Sequence, residues 1–425
     1  MTDAEREFLK LIRRSISREC CGSVKPLSGD DASAIISMAK KQNVAPLIYD
    51  ALKSAGGLES ISADRKTALK DYVLEAATRQ ITQNNEFLTI LLHAQEQGLD
   101  PIVIKGVISR SLYPIPYLRP SVDEDILVSE KEAEKYHGFL LSEGLCADET
   151  DLTADEYRKA YELSYHRENS PTYIEMHKAL FDPESPAFDM LNDLFIGFPE
   201  RTVRVQIEDV SVRTLAPTDH LLYLILHAFK HFLHSGVGIR PLCDIGLFAD
   251  RYADQISWQE IQMKLASVNV LYYAKALFRI IQLHLLPDAA FLDCIRDWKI
   301  EEIEVDALLG DTLASGVYGT ASLSRLHSSS MTLYAFENQK RSGNKGGAYA
   351  VMHSVLLPKK NMEERYTYLK RRPALLPVAW VQRAVRYLLE TRKKDTGFEA
   401  DNNAAESIRL GRERIGLLRQ YRIIE

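Results

Sequence analysis

Ile104-Lys105-Gly106, then Tyr113-Pro114-Ile115-Pro116-Tyr117-Leu118-Arg119, then Val122-Asp123-Glu124-Asp125-Ile126-Leu127-Val128: these three runs decide how the chain is read. Pro101 to Ile104 is short, apolar and β-branched, the texture of a buried strand, and Lys105-Gly106 closes it. Val107 to Leu112 reads as the start of a helix. Pro114 and Pro116 push their predecessors out of the helical region, so the Tyr113–Tyr117 stretch is extended or turned. Val122 to Val128 is a second strand. Side chains alternate faces along a strand, so Asp123 and Asp125 share one face, roughly 6.6 Å apart along it. Glu124 falls on the other face with Val122, Ile126 and Val128, where a charge is costly if buried. It either reaches the strand edge, or joins the acids, or marks a site that has lost its chemistry.

Outward from this segment the texture is helical. Residues 1–97 carry apolar residues at i, i+3 and i+4 spacing, with a long helix from about Ala63 to Gln97 ended by Gly98. Lys131 to Glu143 predicts an amphipathic helix, Pro171 to His177 a third strand, and Val203 to Val212 a strand or hairpin. Helices are expected again from Pro217, with Thr218 as N-cap, and over about 242–252, 258–284, 288–297 and 373–391. The spacing divides the chain into an N-terminal helical region (1–97), a mixed α/β core (98–215), a helical domain (216–310) and a mostly helical C-terminal region (311–425). Gly343-Asn344-Lys345-Gly346-Gly347 marks a flexible loop near 340–348.

Composition narrows the function. The 425 residues include 53 Lys and Arg against 59 Asp and Glu, a formal charge of −6 that argues against coating long nucleic acid. No apolar run reaches the ~18–20 residues of a membrane span, and the N-terminus lacks a secretory pattern, so a cytoplasmic protein without a membrane partner is expected. The five cysteines form no C-x-x-C pair and read as incidental thiols. Two carboxylates on one strand face repel unless a cation joins them. Mg²⁺ takes such oxygens together with phosphate oxygens and water, and two such ions can clamp both oxygens of a phosphoryl displacement. The plainer alternative is a solvated acidic turn.

A glycine turn leading into a helix, followed by D-x-D-hydrophobic on a strand, resembles the polymerase-β-like nucleotidyltransferases. The longer pattern, K-G, Y-P, R and D-x-D-I-L-V, is similar to a bacterial subfamily of uncharacterised nucleotidyltransferases. Tyr173-Ile174-Glu175-Met176-His177-Lys178, Leu215 to Asp250 and Tyr366 to Arg383 resemble its later segments. The resemblance implies an α+β fold, with a small mixed-sheet nucleotidyltransferase core flanked by N-terminal and C-terminal helical regions. It implies transfer of an NMP group from an NTP to an acceptor, with Mg²⁺ or alternatively Mn²⁺ as cofactor. Asp123, Asp125 and Glu175 would be the metal-binding and catalytic carboxylates. Gly106 would sit against the nucleotide phosphates.

Several residues stay open between two readings. The superfamily usually has Gly-Ser or Gly-Gly at this turn, where this chain has Lys105-Gly106, and Lys105 either supplies a point charge or only flanks the strand. Glu175 shares a strand face with Tyr173 and His177, or is a surface acid on an edge strand. Arg119 either supports phosphate or the acid pair, or is a solvated loop arginine. His177, Lys230 and Arg240 are expected to line the nucleotide cleft, Asp244 with them. His227 and His231 have zinc-ligand spacing without an H-E-x-x-H motif, and fit a packed helix better. Lys370-Arg371-Arg372 and Arg392-Lys393-Lys394 are solvated helix ends or contacts for an anionic acceptor. The acceptor is a small molecule, a sugar, an RNA end or a protein side chain. The alternative function is a catalytically degenerate relative that binds a nucleotide or a partner.

Overall fold

A computed structural model describes residues 1–17, 27–148, 157, 160–316, 323–341, 366, 368, 375–382 and 404–425. The loop at 343–347, the clusters at 370–372 and 392–394, and Cys20-Cys21 lie outside the described residues. The chain forms two compact units: Met1–Ala228 with Gly238–Gly316, and Phe229–Val237 with Val317–Glu425. The class is α+β, a seven-stranded mixed sheet flanked by helical regions.

In the first unit, α1 (Asp3–Ser17), α2 (Gly29–Lys41) and α3 (Ala45–Ser54) precede α4 (Ala63–Glu96). Ser28 caps α2 by accepting the Asp31 N–H at 3.1 Å. The sheet comprises β1 (Ile102–Val103), β2 (Glu124–Leu127), β3 (Cys146–Ala147), β4 (Glu162–His166), β5 (Tyr173–His177), β6 (Val203–Ile207) and β7 (Val210–Thr214), with α5 (Val107–Ser111) and α6 (Ala133–Ser142) between strands. Its order is β3-β4-β5-β2-β1-β7-β6. β2 runs parallel to β5 and antiparallel to β1, and β4 runs antiparallel to β5. Both acid-bearing strands are therefore interior, and β5 is not an edge. One sheet face is apolar: Ile126, Leu163, Tyr165, Ile174 and Met176 pack with Phe87 and Leu91 of α4 and Tyr136, Phe139 and Leu140 of α6. Each such side chain contributes about 1.5–3 kcal/mol on burial, which fixes the strand register, since a one-residue slip would turn the other face inward.

α7 (Pro217–His234) and α8 (Ile239–Arg251) follow the sheet. Pro217 occupies the first turn of α7, and the Thr218 hydroxyl accepts the Ser257 N–H at 2.9 Å, a partner outside its own helix. The single helix expected over 258–284 is broken into α9 (Trp258–Ser267) and α10 (Leu271–Ile280), because Asn269 adopts φ 60° between them. β3 and β4 were not expected; the alternation in Glu162-Leu163-Ser164-Tyr165-His166 is too short to stand out. α11 (Asp306–Ser315) ends the unit.

The second unit holds α12 (Leu323–Arg341) and α13 (Ala404–Gln420). Arg414 of α13 donates to the Ser328 hydroxyl and to the His234 carbonyl, each at 3.0 Å, and Thr332 donates to the Leu233 carbonyl at 2.7 Å. No helix among the described residues is long and apolar enough to cross a membrane.

Candidate active site

The non-apolar face of the sheet collects the acids. Asp125 of β2 is in register with Glu175 of β5, which is in register with Ser164 of β4. One step along, Leu127, His177 and Glu162 form the next row. Asp123 lies just before β2 on the same alternation. His177 Nε2 is 3.3 Å from Asp125 Oδ1 and 3.7 Å from Glu175 Oε2, and His177 Nδ1 is 3.5 Å from Glu162 Oε2. One potential ligand atom each from Asp125, Glu175 and His177 lies within 4.8 Å of the others. This is the one group of three or more such side chains among the described residues. Asp125 is 1% exposed, whereas Glu175 and Asp123 each keep 23% of their side chain open to solvent.

Lys105 supplies the internal counter-charge. Its ammonium is 3.1 Å from Asp125 Oδ2 and 3.5 Å from Asp123 Oδ2. Burial alone would lower the lysine pKa, but the carboxylates of Asp123, Asp125 and Glu175 outweigh it and raise the pKa above the ordinary value. Burial would likewise raise Asp125, yet Lys105 and His177 hold it well below the usual carboxylate range. Glu175 goes the other way. Its burial and the neighbouring charges of Asp125, Asp123 and Glu162 push it up to about 8. The face therefore carries more negative charge than its own cations balance, and one carboxyl carries the strain as a retained proton.

Glu124 belongs to a separate arrangement on the opposite face. It is fully buried, and Arg110 donates to Oε1 at 2.5 Å. The Val107 N–H donates to Oε2 at 2.8 Å, and Gln83 to Oε1 at 3.1 Å. Gly106 is the companion of this contact. It has φ +58°, and a Cβ there would lie 2.0 Å from Glu124 Oε2. Its glycine is thus required by the Glu124 carboxylate and by the backbone conformation, in addition to any close approach of phosphate. Glu124 neither reaches an edge nor joins the other acids; it ties α5 to β2.

Arg119 forks onto a carboxylate, that of Asp244 on α8: Nε to Oδ1 is 2.9 Å and Nη2 to Oδ2 is 2.6 Å. The Tyr113 hydroxyl donates to the same Asp244 at 2.8 Å. The solvated-loop alternative is overturned, because Arg119 is 1% exposed. Its Nη1 remains buried without a hydrogen-bond partner. Arg240 donates to the Pro120 carbonyl at 2.6 Å, leaving its Nε unpartnered. Lys230 lies on the Phe229–Val237 stretch assigned to the second unit, while the acid group belongs to the first. His220 is a buried core histidine whose pKa burial lowers to about 4. His227 Nδ1 is 3.1 Å from the Tyr223 hydroxyl, as a packed helix requires.

The structure thus gathers Lys105, Asp123, Asp125, Glu175 and His177, with Gly106 behind them, and ties Arg119 and Arg240 to other protein groups. Glu162 and Ser164 complete the face and were missed, since β4 itself was not legible.

Residues 28–285 match a family described as an uncharacterised nucleotidyltransferase. The chain belongs to that family. The matched segment contains the whole sheet and every residue of the acid face. No curated protein matches the chain. No solved structure matches it either. For this nucleotidyltransferase family member, the Asp125–Glu175–His177 group is a candidate site for a divalent ion, with oxygen donors that suit hard cations and one imidazole that suits borderline ones.

Proposed function

We propose that this protein is a Mg²⁺-dependent nucleotidyltransferase, with Mn²⁺ as an alternative ion, that moves an NMP group from an NTP to an acceptor and releases pyrophosphate. The observation that carries the reading is the register of Asp125 with Glu175 on adjacent parallel strands, with Asp123 and Asp125 held by one lysine ammonium. An excess of carboxylates on a partly solvent-open face is what a divalent ion with phosphate ligands would relieve. When bound, the ion neutralises charge that builds on the transferring phosphoryl group.

Asp123, Asp125 and Glu175 hold the ion in this reading, and His177 orients Asp125 through its 3.3 Å contact. Glu175, ionised when the ion is present, accepts the proton of the attacking group. Lys105 turns from the carboxylates to the triphosphate, which offers it an equivalent set of anionic oxygens. Arg119 and Arg240 interact electrostatically with Asp123 and add positive potential there for the same anion. In calorimetric titration with a non-hydrolysable NTP, binding is expected with Mg²⁺, to be lost without it and to fall in Asp123→Asn. Mg²⁺-independent binding, or an unaffected variant, defeats the reading.

A binding module without turnover is the second reading. Lys105 favours it, since an ammonium seated between the two aspartates does part of the ion's work. A panel of NTPs and acceptors assayed for pyrophosphate release separates the two.

A further inference from the structure

Carboxylates face both ring nitrogens of His177. Nε2 lies 3.3 Å from Asp125 Oδ1 and 3.7 Å from Glu175 Oε2, and Nδ1 lies 3.5 Å from Glu162 Oε2. His93 and His166 each meet a single carboxylate, through Nδ1. His220, a packed core histidine, instead meets the Thr214 hydroxyl at 3.3 Å. His177 is 5% exposed, and its Nδ1 is buried without a hydrogen-bond partner. The strands fix this position: His177 is in register with Leu127 of β2 and Glu162 of β4, one row beyond Asp125 and Glu175.

A neutral imidazole carries one N–H and one lone pair. With the N–H on Nδ1, facing Glu162, the Nε2 lone pair points toward the oxygens of Asp125 and Glu175. Three electron-rich atoms then converge, while the Lys105 ammonium sits 3.1 Å from the other oxygen of Asp125, Oδ2. The same three atoms make a ligand set. Ligands at roughly 2.1 Å from an ion stand roughly 3.0 Å apart on adjacent corners of an octahedron and roughly 4.2 Å apart on opposite corners. The 3.3 and 3.7 Å separations fall between these limits, and all three atoms lie within 4.8 Å of one another. Asp123 is not among the three. Behind the ring, Glu162 occupies the place of the carboxylate that commonly holds a metal-binding histidine through its second nitrogen. Oxygen-only sets suit Mg²⁺, whereas an imidazole adds affinity for first-row transition ions.

We infer that His177 is a direct ligand, through Nε2, of the divalent ion held by Asp125 and Glu175, that Glu162 positions its ring, and that this nitrogen biases the site toward Mn²⁺ and later first-row ions over Mg²⁺. This rests on the ion site of the nucleotidyltransferase reading above. Before the ion arrives, the 3.3 Å contact orients Asp125; with the ion bound, the same nitrogen coordinates it.

Pulsed electron paramagnetic resonance on the full chain loaded with Mn²⁺ tests this, with and without a non-hydrolysable NTP. Nitrogen modulation of the Mn²⁺ echo is expected, and it should change when the chain is made with histidine labelled with the heavy nitrogen isotope. The label leaves folding untouched and does not mark Lys105. His177→Gln should abolish the modulation and lower Mn²⁺ affinity by about tenfold or more, with a smaller loss for Mg²⁺. Glu162→Gln should lower Mn²⁺ affinity by about tenfold and shift the nitrogen coupling of the retained histidine, a change that loss of a purely structural contact would not produce. Mn²⁺ bound without histidine modulation, or equal losses of Mn²⁺ and Mg²⁺ affinity in His177→Gln, overturns the inference and leaves the carboxylate ion site in place. Unchanged affinity and coupling in Glu162→Gln overturns the positioning role of Glu162. No binding of either ion, with or without NTP, overturns the inference together with the reading it rests on.

Discussion

Glu124 and Asp125 are neighbours in sequence, both buried and both acidic, yet they belong to opposite economies of charge. Glu124 has one cation, Arg110, plus a backbone N–H and an amide, and each oxygen is satisfied. Asp125 faces Asp123, Glu175 and Glu162, with Lys105 and His177 as its counter-charges. The first arrangement is closed: nothing from outside is needed to balance it. The second is open, with a carboxyl that keeps its proton up to about 8 because the charge around it is unbalanced. Strand alternation alone separates the two, and the difference distinguishes an acid whose charge is fully paired from one set among acids that the neighbouring cations do not balance.

The comparison breaks most visibly through Arg110. Arg110→Leu leaves Glu124 charged, buried and unpaired, which should cost about 3–5 kcal/mol. Chemical denaturation should show the loss as a lower midpoint. A variant as stable as wild type would mean that the Glu124 pair does not tie α5 to β2.

On the open side, Lys105→Met removes the ammonium that, in the proposed reading, competes with a metal ion for the two aspartates. Mn²⁺ affinity without nucleotide, followed by electron paramagnetic resonance, should rise by about tenfold, the scale of one lost competing contact. An unchanged or weaker affinity would show that Lys105 assists the ion instead of standing in for it.

The smallest expected effect is a pH dependence. The folded-state pKa of Glu175 lies at about 8, above the ordinary 4.5. A raised carboxyl binds its proton more tightly in the folded state, so the stability it contributes is complete below about pH 4.5 and is lost as pH rises through about 8. Melting temperature without metal should decline across that window in wild type and decline less in Glu175→Gln. Parallel profiles would place the strain on another group.

Much of the open face could be read in the sequence. Asp123 and Asp125 follow from strand alternation over Val122–Val128, and Tyr173, Glu175 and His177 from the same rule over the next strand. Alternation is a local property, so it survives without coordinates. The closed side could not be read, because its partners are brought in by tertiary packing. Arg110 looked like one more residue at the start of a short helix, and Gln83 like one more polar position on a long one. Gly106 was legible as a turn, but the carboxylate that fills its Cβ position was not. Arg119 was legible as a fork for phosphate or for the acid pair, or as a solvated loop residue; its actual partner, Asp244, lies 125 residues away and was not legible. Lys105 stood between two roles in the sequence, and the ammonium-to-aspartate distances of 3.1 and 3.5 Å place it among the acids. Glu162 stayed hidden because β4 is short and its alternation is diluted by the polar residues around it.

Asp125→Asn offers the most direct test of the contrast, with Mn²⁺ binding and thermal unfolding measured on the same samples. The account predicts that Mn²⁺ binding falls by more than about 100-fold, beyond the loss of an outer-shell partner, with nucleotide present or absent. The melting temperature should fall, but by less than in Arg110→Leu, because losing the Lys105 and His177 contacts to a charged carboxylate is partly offset by relief of its repulsion with Asp123 and Glu175. Undiminished Mn²⁺ binding, or a variant that unfolds as Arg110→Leu is expected to, would contradict it.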